Sequence, residues 1–216
     1  MTLAAETRPG PQAVRKADSL AGLAEISAPG TAAVIWQRAP RPGFQDWMDG
    51  LAPDLLPHTR TVLRADRVRA AAEAMCAECA TPESPERAHL IDDLAGLAES
   101  FAALMGTAYL RLRLDVVTTN ACRKFHIDAL TARLICTYRG RGTEYGLARQ
   151  GDDPHEIHAV PTGAPVVLRG TEWPEGPPPG LLHRSPPIEG TGETRLLLVL
   201  DPVADPEEHP ARKFVH

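Results

Sequence analysis

Apolar and polar positions alternate from Ala108 to Val117, where Leu110, Leu112, Leu114 and Val116 are interleaved with Arg111, Arg113, Asp115 and Val117. A period of two predicts a strand with one face buried. Further strands are predicted at Ala32 to Trp36, Ala132 to Tyr138, Pro165 to Leu168 and Thr194 to Leu200, with Arg139 to Gly142 as a turn leading into Thr143-Glu144-Tyr145. Upstream the period changes to that of a helix. Asp66 to Cys79 is rich in Ala, Glu and Arg, and Pro82 to Pro85 interrupts it. Ser84 suits an N-cap and Pro85 a first helical position. Glu86 to Met105 then sets Leu90, Leu94, Leu97, Phe101 and Leu104 on one stripe, with Gly106 as its stop. A shorter helix is predicted over Pro42 to Leu51, carrying Phe44, Trp47 and Met48.

The order of these elements predicts an α+β protein. A helical front half runs to about residue 106 and a β-rich half covers about 107–202, both within one domain over 14–205. Short strands separated by Gly and Pro turns argue a jelly-roll or barrel-like core, with the N-terminal helices packed on one side. Residues 1–13 and 206–216 read as tails. No internal repeat is present.

Composition narrows the function classes. With 43% hydrophobic residues, 216 residues suffice for one core. A net charge of −5 and 5% aromatics argue against a nucleic-acid surface or a base-stacking platform. No apolar run approaches a membrane span, and the first residues lack the apolar region of a secretory signal, so a cytoplasmic location is expected.

The candidate chemistry lies in Arg123-Lys-Phe-His126-Ile-Asp128 and Leu182-His183-Arg-Ser-Pro-Pro187. On a strand, His126 and Asp128 would point to the same side. With His183 they can form a 2-His-1-carboxylate set, which leaves coordination positions open. Arg195, a dozen residues after His183, can grip a carboxylate in a bidentate fork if buried, or pair with Glu193 or Asp201 at a sheet edge. Arg133 and Arg184 are alternative carboxylate partners, and Tyr138 and Thr137 offer hydroxyls. Cys122 is four residues before His126, so on an extended strand its thiol would face the same side and could tilt the site toward zinc.

The order His126-x-Asp128, His183, Arg195 resembles the double-stranded β-helix (jelly-roll, cupin-like) core of the Fe(II)/2-oxoglutarate-dependent oxygenases. Cys122 to Asp128, Arg133 to Thr143 and His183 to Pro187 with Arg195 to Asp201 resemble more closely an uncharacterised bacterial family, the domain-of-unknown-function 1826 family, over roughly residues 30 to 202. The oxygenase resemblance implies Fe(II) on His126, Asp128 and His183. It also implies 2-oxoglutarate reaching from the metal to Arg195, and dioxygen in the remaining position. Leu197 departs from that pattern, since many such enzymes carry Ser two residues after the arginine, and Pro186-Pro187 is unusual for a strand interior.

Other motifs offer less. Cys76-x-x-Cys79 shares a helix face but lacks a second pair, and it reads as structural thiols, as does Cys136. His155-Glu-Ile-His158 reads as exposed loop, and the Pro-rich segment Glu172 to Gly180 as a stiff connector that could wall the site. Three functions stay open: an Fe(II)/2-oxoglutarate oxygenase, a noncatalytic Zn(II)-binding protein of metal homeostasis, and a β-domain whose motif residues are structural or serve a protein partner. The substrate is not legible, because fold-level analogy does not identify what is oxidised.

Overall fold

In the computed structural model, which describes residues 13–148, 152–174 and 180–204, strand β1 (Val14–Ala17) is followed by β2 (Ala33–Trp36), α1 (Phe44–Gly50), β3 (Thr59–Arg64), α2 (Val68–Glu78) and α3 (Pro85–Met105). The second half supplies β4 (Tyr109–Val117), β5 (Ala132–Arg139), β6 (Glu144–Leu147), β7 (His158–Ala159), β8 (Pro165–Arg169), β9 (Leu181–Arg184) and β10 (Arg195–Val203). The expected tails over 1–13 and 206–216 and the middle of the Glu172 to Gly180 connector lie largely outside the described residues.

Local chemistry fixes the longest helix. The Ser84 hydroxyl accepts from the Arg87 backbone N–H, Pro85 opens α3, and Gly106 closes it in the left-handed region at φ 63°. Leu90, Leu94, Leu97 and Phe101 from its apolar stripe are buried against Leu110, Leu112 and Leu114 of β4, Leu134 of β5 and Leu196, Leu198 and Leu200 of β10. The helices therefore cover one face of the main sheet, as the sequence predicts.

That sheet has seven strands in the order β1-β2-β8-β5-β10-β4-β3, all neighbours antiparallel except β1 with β2. A three-stranded sheet, β7-β6-β9, faces its other side. Val160 and Leu181 close a second apolar layer there with Ile135, Val166, Leu168, Leu197 and Val199, and Tyr145 packs against it. Two corrections follow. The architecture is α+β with two open sheets, and no closed barrel forms among the described residues. The front half also supplies more strand than expected, because β1 and β3 join the predicted β2 in the main sheet. β3 escaped the pattern because it is an edge strand whose residues are all partly or fully exposed, so nothing forces a clean alternation. Among the described residues no helix is long and apolar enough to cross a membrane.

Candidate metal centre

Alternation along β5 and β10 divides their residues between the layers. Leu134, Cys136, Tyr138, Leu196, Leu198 and Leu200 face the helices, whereas Ile135, Leu197 and Val199 face the small sheet. Arg133 and Asp201 share this second face and meet there, with Arg133 Nε and Nη2 donating to Asp201 at 2.6 and 2.9 Å. Arg133 Nη1 donates onward to Asp128 Oδ1.

His183 sits on β9, opposite Tyr145 of β6. On its other side it forms an isolated antiparallel bridge with His126, each backbone N–H donating to the other's carbonyl at 3.0 Å. Directly opposed residues in such a pair project to one face. The two imidazoles accordingly lie 4.5 Å apart between ring centroids. Asp128 follows in irregular chain, so it is this bridge and a supporting loop, not a regular His126–Asp128 strand, that assembles the group. The loop is held by three backbone donations: Gly170 to Thr131 at 2.9 Å, Thr171 to Asp128 at 2.9 Å and Glu172 to Leu130 at 3.1 Å. A Cβ on Gly170 would collide with the Leu130 carbonyl and come within 2.7 Å of that of Asp128. Gly170→Ala is thus expected to push the Asp128 loop away and weaken divalent-metal affinity about 10–100-fold, as loss of ligand support does elsewhere. Calorimetric metal titration with unchanged far-ultraviolet dichroism checks this, and wild-type affinity would refute it.

His126, Asp128 and His183 can each offer a ligand atom with all such atoms within 4.8 Å of one another. His183 Nε2 is 3.1 Å from Asp128 Oδ2, and His126 Nε2 is 3.6 Å from Oδ1. His126 Nδ1 lies 2.9 Å from the Lys124 carbonyl, and a proton placed there to donate leaves Nε2 as the free lone pair. Asp128 Oδ2 is buried and accepts no well-aligned hydrogen bond among the described residues. Burial alone would raise the Asp128 pKa, but His126, His183 and Arg133 together hold it well below the usual carboxylate range. The bond to Asp128 raises the His126 pKa, whereas burial lowers that of His183. An ionised carboxylate and a neutral buried imidazole are the protonation states a metal ligand requires.

Arg195 lies at the start of β10 and is fully buried. Its Nε donates to the Arg141 carbonyl at 2.6 Å, but Nη1 and Nη2 have no hydrogen-bond partner among the described residues. Neither sheet-edge partner expected from sequence takes it, since Glu193 binds Arg141 and Asp201 binds Arg133. Burial pushes the Arg195 pKa down to about 10. It remains a cation at neutral pH.

The remaining candidates divide. Tyr138 is on the helix face, where its hydroxyl donates to Asp93 Oδ2 at 2.6 Å, so it does not line the centre. Arg133 is committed to Asp128 and Asp201, and Arg184 to Glu144 at 2.7 Å with its guanidinium over the Phe125 ring. All three Arg133 nitrogens are engaged, whereas Arg184 engages only its Nε in this pair. Thr137 shares the centre's face and is buried. Cys122 is exposed and stands outside the ligand cluster, because bends at Cys122 and Lys124 break the alternation assumed for it. Cys136 is a buried thiol whose pKa burial pushes up to about 12, and Cys76 is likewise raised by burial, consistent with inert core thiols. His155 and His158 are exposed, as expected, but His158 lies in strand β7 and not in a loop, because it pairs with Tyr145 of β6. Sequence reading missed Asp201 and Arg113 as neighbours of the centre. The available signal was Asp201 on the same face of β10 as Leu197 and Val199, and the charges Arg111, Arg113 and Asp115 that alternate with the leucines of β4.

The family model described as "Protein of unknown function (DUF1826)" matches residues 17–201. The chain belongs to this family. No curated protein matches the DUF1826 chain. Solved structures similar to it include the rice dioxygenase for auxin oxidation, at 15% identity and TM-score 0.48 over 88% of this chain and 82% of that one. The Arabidopsis thaliana dioxygenase for auxin oxidation 1, as its 2-oxoglutarate complex, is similar at 11% identity and TM-score 0.44 over 78% and 66% of the two chains. A 2OG-Fe(II) oxygenase family oxidoreductase from Burkholderia pseudomallei is similar at 17% identity and TM-score 0.42 over 85% and 90%.

Proposed function

We propose that this DUF1826 protein is a non-haem Fe(II)/2-oxoglutarate-dependent oxygenase whose core is a double-stranded β-helix. In this reading His126, Asp128 and His183 hold the metal. Ligand atoms at about 2.0–2.2 Å from an ion, set at right angles, are roughly 3 Å apart, and the 3.1 Å from His183 Nε2 to Asp128 Oδ2 matches that spacing. The two facing sheets, with one histidine on β9 and the His-x-Asp pair bridged beside it, support the β-helix reading.

The observation that carries the proposal is Arg195. Two buried guanidinium nitrogens on a buried arginine, without partners among the described residues, are suited to receive an anion. A dicarboxylate cosubstrate supplies one. When bound, Fe(II) offers open positions for a keto acid and dioxygen and carries the oxidation. The chain's own residues orient and exclude. Arg195 takes the far carboxylate in a fork, Arg133 fixes Asp128 through Oδ1, and Leu181, Leu197 and Val199 keep water from the layer between the sheets.

Noncatalytic zinc sites are normally closed by four protein ligands, whereas three converge here and Cys122 does not join them. The test is an anaerobic titration of metal-free protein with Fe(II) and 2-oxoglutarate, following the visible charge-transfer band. A saturable band is expected, with Arg195→Gln weakening 2-oxoglutarate about 10–100-fold, the equivalent of losing a charged hydrogen bond of about 1.5–3 kcal/mol. Tight zinc retention with no band would overturn the oxygenase and favour metal handling.

A further inference from the structure

The small sheet does not cover the whole second face of the main sheet. Its apolar layer draws on β2, β5, β8 and β10, takes only Val117 from β4 and nothing from β3. The part outside this apolar layer carries a row of arginines. Arg60 of β3 is in register with Arg113 of β4, and Arg111 of β4 with Asp201 of β10. Arg133 of β5 follows on the other side of Asp201, and it touches Asp128.

The carboxylates on this face are already taken. Asp115 is held by Arg60 at 2.7 and 3.2 Å, and Asp201 by both fork nitrogens of Arg133. Arg113 is left with Asp201 Oδ2 at 3.6 Å from Nη2, too long for a hydrogen bond, while its Nε is buried without a hydrogen-bond partner among the described residues. Burial lowers the Arg113 pKa, with Asp201 and Asp115 acting against it and Arg133 and Arg60 with it. Arg111 makes no ion pair among the described residues. Among the described residues the ion pairs of Arg60, Arg113 and Arg133 draw on Asp115, Asp201 and Asp128, and the last of these belongs to the metal centre. A divalent ion on Asp128 would add further positive charge beside them.

We propose that this face binds the acidic group of an anionic substrate, with Arg113 as the principal cation and Arg111 beside it. Through Asp201 and Arg133, Arg113 is connected to the metal ligand Asp128 by successive ion-pair contacts. An acid held there would present the adjoining part of a small molecule to the centre. The substrate class is then a small carboxylic acid or phosphate ester, an inference that rests on the oxygenase reading. The anion site itself does not depend on it.

The test uses metal-free full-length protein at low ionic strength, titrated calorimetrically with inorganic phosphate and, separately, with acetate. Binding of at least one probe is expected. Measured in an Arg195→Gln background, which removes the separate anion site proposed at Arg195, it should fall at least tenfold on adding Arg113→Gln and be largely restored with Arg113→Lys. The tighter probe identifies the acid. No binding of either probe in the Arg195→Gln background, or binding there that survives Arg113→Gln, would overturn the proposal. If dichroism finds Arg113→Gln unfolded, Arg111→Gln decides, a clear loss supporting the site and unchanged binding refuting it. A phosphate or acetate site without a 2-oxoglutarate charge-transfer band would leave the anion site standing and remove only the oxygenase.

Discussion

Asp128→Asn is expected to reduce divalent-metal affinity by more than about a hundredfold, since even the supports of metal ligands are worth 10–100-fold. The substitution keeps the shape of the side chain and removes the one charge that the three converging groups contribute to an ion. A second effect accompanies it. Arg133 Nη1 loses its carboxylate partner while Nε and Nη2 keep Asp201, so the metal-free fold is expected to lose about 1–2 kcal/mol, near the lower range for a hydrogen bond to a charged group. Metal titration and urea denaturation read the two effects separately. Metal affinity unchanged in Asp128→Asn would remove this residue from the centre and the triad with it.

Asp201→Ala should produce the largest loss of stability, about 3–5 kcal/mol, the cost of removing one partner from a buried ion pair. Asp201 is almost fully buried, accepts both fork nitrogens of Arg133 and is the nearest carboxylate to Arg113. Its removal leaves two guanidinium groups in the interior with Asp128 as their nearby counter-charge. For a chain of this size each kcal/mol is worth about 2–4 °C, so a fall in Tm of roughly 10 °C is expected. Replacing both partners with apolar residues, as Asp201→Leu with Arg133→Met, is expected to recover much of that loss, because a buried pair is often no more stable than its apolar replacement. A double variant as unstable as the sum of the singles would mean that the two residues are not energetically coupled. The recovered variant should still bind metal weakly, since Asp128 would have lost the donor that fixes Oδ1.

The two experiments separate holding the metal from holding the ligand in place. Asp128 tests the first directly. Asp201 tests whether the centre is mounted on a buried charge network that also carries part of the fold's stability.

Much of this arrangement is written in local patterns. The cap at Ser84-Pro85, the stripe from Leu90 to Phe101 and the stop at Gly106 define α3, because capping and periodicity act within a turn or two of chain. The alternation in β4 likewise separates Leu110, Leu112 and Leu114 from Arg111 and Arg113 before any partner strand is known. The residue types and order of His126, Asp128, His183 and Arg195 define which side chains can form an N,N,O centre with a carboxylate-binding arginine. Only tertiary structure decided which partners meet. The His126–His183 bridge joins positions far apart in sequence, the Gly170 loop aims Asp128, and strand register sets Arg133 on Asp201 while turning Tyr138 toward Asp93 on the opposite face. The reason is that alternation tells which residues share a face, whereas pairing and register tell which of them come within bonding distance, and those depend on the packing of the whole sheet.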